Sequence, residues 1–330
     1  MSNCQEAEGE APNDLVVILL SVFNGARFLR EQLTSLSAQT HRNWVLFWRD
    51  DGSNDESRRI LLEFTEEVGA DRVIMLAHPV GRVGIAASYR SLLQAAPEEA
   101  PFFAFCDQDD VWMPDKLARA VAHLRAFPSQ QAGLYCSRQV IVNKNLRPIR
   151  LSPIMRHLPG LRNALVQNIA TGCTVVINQN ARRHVLSVPG PKGSLHDQWA
   201  YLVVSAVGGK VFFDPIPSIF YRQHNANEVG NQGSIPRRFW RAVKRGPVPF
   251  LRGLAENLYA FSEFGALSPE AKKLLLESSP MQSRNPFVRF SALRKLGFYR
   301  QTLLEDLLMR LWISMRPLPP PEKPLRLPKA

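Results

Sequence analysis

Cysteine is scarce in this chain of 330 residues, and the four present (Cys4, Cys106, Cys136, Cys173) form no CxxC pair. That spacing excludes a disulfide-stapled scaffold and a zinc knuckle, and it predicts a reducing compartment. Long apolar runs are missing too. Leu15 to Leu20 stops at Ser21, and Phe102 to Cys106 stops at an acidic cluster. Neither approaches the roughly 20 residues of a spanning helix. No basic segment followed by an apolar stretch opens the chain, so no signal peptide is expected. There is no internal repeat. The hydrophobic fraction of 45% suffices for a sizeable core, and the length suggests two domains.

Charge is unevenly spread. Residues 1–233 carry 23 Lys+Arg and 22 Asp+Glu, whereas residues 234–330 carry 18 and 7. Almost the whole excess lies in the last hundred residues, which makes that segment a candidate for an anionic partner.

The order of elements reads as α/β. Leu15–Leu20 is short, β-branched and apolar on both faces, as a buried strand requires. Trp44–Trp48, Val73–Leu76 and Phe102–Cys106 are further strands. Helical spacing of apolar residues follows each of them: Phe28 to Ala38, Glu56 to Val68, a helix ending near Ala95, and one whose first turn holds Pro114. Strands alternating with helices predict a mainly parallel sheet, with ligands beyond the carboxyl ends of its strands. Beyond Gly133, Thr174–Ile177 and Lys210–Phe213 read as strands and Trp199–Ala206 as a helix. Residues 1–13 are expected to be disordered. Residues 234–315 read as helical and basic, and the six prolines from Arg316 onward predict an extended tail.

Four clusters carry chemistry. Asp107-Gln-Asp-Asp110 places three carboxylates after a strand that reads as buried, where a hard divalent cation would relieve their repulsion. A polar turn before Pro114 explains them equally well. Asp50-Asp-Gly-Ser53 fits either a tight turn or a carboxylate that accepts from a nucleobase imide. Asp197, in His196-Asp-Gln-Trp199, fits a capping box with Ser194 or a general base. His224 is a candidate ligand or an ordinary surface histidine. His41, His78 and His157 are assigned no role.

Taken in order, these clusters resemble the family 2 glycosyltransferases of the GT-A fold, and more narrowly the bacterial rhamnosyltransferase-like branch that builds surface polysaccharides. The resemblance spans about residues 14–233. It rests on Ser21-Val-Phe-Asn-Gly25 with Phe28 to Leu33 and Gln39-Thr40, Asp50 to Asp55, Cys106 to Trp112 with Pro114, Lys116 and Leu117, Thr171 to Thr174, His196 to Trp199, and Tyr221 to His224 with Asn227 and Gly230.

The resemblance implies an inverting, metal-dependent transfer from a nucleoside-diphosphate sugar, with rhamnose among the candidate sugars. Phe23, Asn24, Asp51 and Asp107 would bind the nucleotide-sugar. Asp109 and His224 would hold Mg2+ or Mn2+, with Asp107 and Asp110 in support. Asp197 would be the base, and Thr171, Gly172, Gln198 and Trp199 would form the acceptor side. Phe23 stands where Tyr is common, Arg49 where a small residue is usual, and Ser88-Tyr89 where Asn-Phe is usual. The last two departures bear on donor contacts.

The implied acceptor is an oligosaccharide or a polyprenyl-linked sugar. The basic C-terminal segment, with Phe239, Trp240 and Phe290 among its arginines, suits an anionic membrane surface. A helical subdomain packed on the catalytic domain suits it as well. No nucleic-acid motif is present, and none is expected to bind. The expected location is the cytoplasmic face of the plasma membrane. Two other readings compete. A sugar nucleotidyltransferase would need a Gly-rich basic phosphate loop after the first strand, which Phe23 to Ala26 does not supply. A lipid- or nucleic-acid-binding protein on a decayed enzyme fold is opposed by the intact Asp51, Asp109, Asp197 and His224.

Overall fold

The computed structural model describes residues 14–77, 81–191, 193–224 and 235–320. The expected N-terminal disorder, most of the Pro-rich tail, Cys4, His78, Asn227 and Gly230 fall outside the described residues.

A seven-stranded sheet organises the chain. Its strands are β1 (Val16–Val22), β2 (Trp44–Asp50), β3 (Val73–Met75), β4 (Phe102–Cys106), β6 (Gly133–Ser137), β9 (Val176–Asn178) and β10 (Lys210–Asp214), in the order β10-β6-β9-β4-β1-β2-β3. All pairings are parallel except the two made by β9, which runs antiparallel to β4 and β6. A smaller sheet, ordered β5-β11-β7-β8, holds β5 (Val111–Trp112), β7 (Val140–Val142), β8 (Pro148–Leu151) and β11 (Ile219–Arg222).

Side-chain alternation along β1 divides the interior into two cores. Val16, Ile18, Leu20 and Val22 face one core with α1 (Ala26–Ser37), α2 (Ser57–Val68) and α4 (Lys116–Arg125). Val17 and Leu19 face the other, with α3 (Ile85–Ala95), α5 (Leu161–Ala164), α6 (Gln179–Ser187) and α7 (His196–Ala206). Both faces of β1 are therefore covered, which is why its sequence shows no polar alternation.

Five C-terminal helices follow, α8 (Ile235–Arg245), α9 (Pro247–Ser262), α10 (Pro269–Glu277), α11 (Pro286–Leu296) and α12 (Leu303–Met315), and the second core continues into the last four. Leu254, Leu258, Phe261, Leu296, Met309 and Ile313 share one cluster with Val17 and Leu19. Hydrogen bonds cross the same boundary: Gln301 Oε1 accepts from Arg156 N and His157 N, and Arg162 Nε donates to Leu296 O at 2.9 Å. Gly297 ends α11 in the left-handed conformation (φ 64°), so the expected helical stretch from Pro286 to Met315 is two helices.

Two local expectations change. Pro114 lies outside α4, which begins at Lys116 after Asp115. Residues 172–174 form a 3-10 turn, so the strand expected over Thr174–Ile177 starts only at Val176. Cys106, Cys136 and Cys173 are buried and free. Among the described residues, no helix is long and apolar enough to cross a membrane.

Candidate active site

A cleft of about 1000 Å3 opens at the carboxyl ends of β1, β2 and β4. Phe23, Asn24, Asp51, Asp107, Asp109, Thr171, Gly172, Asp197 and His224 all line it. Six separate segments of the chain thus converge on one space. Trp199 is buried and lines a neighbouring cavity instead, and Gln198 lines neither.

Gln108 ties the two loops at the floor together. Its Oε1 accepts from Phe23 N at 2.9 Å and its Nε2 donates to Phe23 O at 3.0 Å. Gly25 leaves room for this bridge, because a Cβ there would lie 2.4 Å from Gln108 Oε1 and push the side chain aside.

Asp51 is almost fully buried. Its carboxylate accepts from Arg49 Nη1 at 2.5 Å and from the backbone amides of Val83 and Gly84 at 2.8 Å. Burial opposes its ionisation, but these donors together hold the carboxyl below its usual range. Two of the positions that depart from the family pattern, Arg49 and Ser88, are joined by a hydrogen bond. Arg49 Nη1 also donates to Ser88 Oγ at 3.2 Å, and Ser88 accepts from Ser21 Oγ at 2.7 Å. Tyr89 donates to Asp107 Oδ1 at 2.8 Å and to Cys106 O at 2.6 Å.

The acidic loop divides by depth. Asp109 Oδ2 and His224 Nε2 are 2.7 Å apart at the cleft wall. Asp110 is fully buried beneath them, and its Oδ1 accepts from Arg222 N at 3.0 Å. It therefore supports the loop from behind. Asp107, Asp110 and Cys173 bring their ligand atoms within 4.8 Å of one another. Burial pushes the Cys173 thiol well up, so it stays protonated, and a hard cation prefers oxygen. Asp107, Asp109 and His224 line the cleft and carry oxygen and imidazole donors of the kinds that divalent cations accept. Burial and the neighbouring Asp109 charge push the Asp107 carboxyl up to about 7. A divalent cation would relieve that strain.

Arg222 locks this arrangement and was not singled out from sequence. Its buried guanidinium donates to Asp109 O at 2.7 Å and to Lys144 O at 2.6 Å, pairs with Glu31, and covers the Phe28 ring at 4.4 Å. Arg27, Arg82 and Lys144 also line the cleft and add positive charge. Arg82 covers the Phe23 ring at 4.0 Å. Their only signal in the sequence was a basic residue in or near a turn.

Asp197 sits in the first turn of α7. The capping box with Ser194 does not form, because Leu195 occupies the cap position. Instead Asp197 Oδ2 accepts from Gly172 N at 3.0 Å and Oδ1 from Gln198 N at 2.6 Å. Burial raises its pKa to about 6. A carboxylate of that pKa is ionised at neutral pH and basic enough to take a proton. Gly172 allows this close approach: a Cβ there would lie 2.7 Å from His196 Nε2 and force a shift.

Comparison with known proteins bears on the family and the fold. The chain is 26% identical over 167 residues to an uncharacterized glycosyltransferase of Rickettsia prowazekii, covering 49% of this chain and 50% of that one. It is 25% identical over 244 residues to a dTDP-rhamnosyl transferase of Shigella flexneri, covering 67% and 77%. The match thus spans only about half the length of the Rickettsia relative. Among solved structures, residues 1–349 of Staphylococcus aureus TarS with UDP-GlcNAc superpose with a TM-score of 0.55 at 15% identity, covering 91% of this chain and 89% of that one. A mannosyltransferase of Pyrobaculum calidifontis with GDP-Man and Mn2+ gives a TM-score of 0.50 at 18% identity, covering 91% and 83%. These likenesses establish the GT-A fold. The sequence model of Glycosyl transferase family 2 matches residues 17–186, which is more than half of the chain. The chain belongs to glycosyl transferase family 2.

Proposed function

We propose that the protein transfers a sugar from a nucleoside-diphosphate sugar to a saccharide hydroxyl, with inversion at the anomeric carbon. The convergence of Asp51, Asp107, Asp109, Asp197 and His224 on one cleft carries this reading. Asp197 takes the proton of the acceptor hydroxyl as its oxygen bonds to the anomeric carbon. The bond from that carbon to the diphosphate oxygen breaks, and the nucleoside diphosphate departs. Arg27, Arg82 and Lys144 supply positive charge along the cleft, and the Phe23 ring supports the base. A bound divalent cation would add Lewis-acid neutralisation of the diphosphate, with Asp107, Asp109 and His224 as its holders.

The named relatives suggest donors and an acceptor. One is a dTDP-rhamnosyl transferase, and another from Escherichia coli moves glucose from UDP-Glc to a GlcNAc-diphosphoundecaprenol. The test is release of nucleoside diphosphate from dTDP-rhamnose, UDP-glucose and related donors, with and without Mn2+. Turnover of at least one donor is expected, with loss in excess chelator and in Asp109→Ala. Full activity under chelation would refute the metal's part, and no turnover of any donor would refute the transfer reading.

A membrane-surface placement is part of the same proposal. On α8, Trp240 and Val243 are exposed beside exposed Arg241, Lys244 and Arg245. Phe287, Phe290, Leu303, Leu307 and Leu311 are exposed on α11 and α12. Apolar side chains between basic ones favour the interface of an anionic bilayer, where a polyprenyl-linked acceptor is confined.

A further inference from the structure

Beside the catalytic cleft lies a second cavity, of about 600 Å3. It is bounded by α3 and by the segment joining α6 to α7, and it shares Gly84, Ile85, Leu195 and His196 with the cleft. His196 directly precedes Asp197, so the cavity begins one residue from the proposed base. Its volume lies within the roughly 300–1,000 Å3 of small-ligand sites.

The chemistry of the wall narrows the occupant. Ala87, Leu93, Phe105, Leu186 and Pro189 supply apolar surface. Most polar groups on the wall are already engaged. The Tyr89 hydroxyl is held by Cys106 O and Asp107. The Arg90 guanidinium donates to the carbonyl oxygens of Val185, Leu186 and Val188. Trp199 Nε1 donates to Val185 O at 3.4 Å. A buried sugar would need a partner for nearly every hydroxyl, and this wall offers few. An aliphatic chain needs none and gains with each methylene buried. The exception stands at the junction: His196 stacks on Tyr89 at 3.8 Å, and neither ring nitrogen has a hydrogen-bond partner. Both nitrogens are buried, with Nε2 against Gly172, so His196 closes the junction as a packed ring.

We propose that this cavity holds the aliphatic chain of the acceptor, so that the sugar receiving the new linkage is carried close to a polyisoprenoid or alkyl group. The inference rests on the transfer reading above and adds the acceptor's class to it. An acceptor whose lipid is many sugars away from the reacting hydroxyl would not reach the cavity.

The test uses the full chain and two probes kept below their micellar concentrations, farnesyl phosphate and isopentenyl phosphate, titrated calorimetrically. Farnesyl phosphate is expected to bind at least tenfold more tightly. Ala87→Phe and Leu186→Trp each place a ring at the cavity wall, and each is expected to erase that preference. They lie on different helices, so failure of one to fold, seen by thermal melting, leaves the other decisive. Saturating UDP or dTDP is expected to leave farnesyl phosphate binding intact. Equal affinity for the two probes would overturn the proposal, as would a preference that survives the filling variants, since binding would then sit elsewhere. Displacement by nucleoside diphosphate would assign the cavity to the donor and also overturn it. Release of nucleoside diphosphate from the donor, measured on the same preparation, tests the transfer reading separately from the chain-length preference.

Discussion

Asp197→Asn separates chemistry from architecture at the proposed base. The wild-type carboxylate accepts two backbone amides, one on each oxygen. Asparagine keeps one acceptor oxygen and turns an NH2 group toward the other amide, which costs about 1–3 kcal/mol for an unsatisfied buried donor. Against this, burial raises the carboxyl from an ordinary 3.8 to about 6, which corresponds to about 3 kcal/mol of disfavoured ionisation at neutral pH. The amide carries no charge and escapes that penalty. The two effects nearly cancel, so the melting temperature at pH 7 should move little. Transfer should fall by about 10²-fold or more, the usual contribution of a general base.

The pH dependence has a definite sign. With the folded pKa above the unfolded value, the folded state holds the extra proton between about pH 4 and 6. The Asp197 contribution to stability is therefore largest below the unfolded value and declines as pH rises through about 6. The rate does the opposite and rises through about 6 as the base ionises. Asn should flatten both. The assays are sugar transfer with a fixed donor from pH 5 to 8 and thermal melting over the same range. A variant within tenfold of wild-type transfer, or one that retains the acid limb, would refute the assignment of Asp197 as base.

Three further perturbations are informative. Tyr89→Phe removes a donor that favours ionised Asp107, whose pKa already stands at about 7. Its pKa should rise further, and the Mn2+ concentration for half-maximal activity at pH 7 should increase several-fold, read from metal titrations. Gly172→Ala forces a Cβ to within 2.7 Å of His196 Nε2 and displaces the amide that orients Asp197. Overpacking of this kind costs about 1–3 kcal/mol, so lower kcat should accompany a lower melting temperature. Reversing Arg241, Lys244 and Arg245 to Glu should abolish cosedimentation with anionic vesicles at low salt, since each basic residue near the surface contributes about 1 kcal/mol. Unchanged sedimentation of the reversed chain would remove α8 from the anchor.

The buried strands were legible because their whole local sequence obeys one rule. Leu15 to Leu20 is apolar on both faces, and β1 is covered on both faces. The antiparallel insertion of β9 was not legible, because strand direction depends on long-range pairing and leaves no local pattern. Asp109 and His224 were readable as candidates, since charged or ionisable groups at a strand end raise a question that chemistry must answer. Arg222 was not, because its importance lies in three partners contributed by Glu31, Asp109 and Lys144, far apart in the chain. Arg49 and Ser88 looked like two separate departures from a pattern. The hydrogen bond between them makes them one feature, and only the folded chain joins them. The C-terminal segment drew on two readings of the same residues. Leu293, Leu296 and Phe298 pack inward, while Phe287 and Phe290 of the same stretch are exposed.

The shared core of the catalytic sheet and the C-terminal helices bears on how the protein is made. Synthesis delivers β1 to β4 and their helices first, and domains tend to fold as they emerge. Here Leu318, whose amide closes on Met281 O at 3.1 Å, still belongs to the core that contains Val17 and Leu19. Nascent chains halted shortly after Arg222 thus carry every proposed catalytic group except His224, yet keep an apolar face of α5 and α7 open to solvent. Such intermediates invite chaperone capture or aggregation. Proteolysis of ribosome-stalled chains of increasing length should therefore find protection of the β1–β4 region arriving late, after α12 has cleared the exit tunnel. Early protection would show that the sheet closes its core without help from the helices.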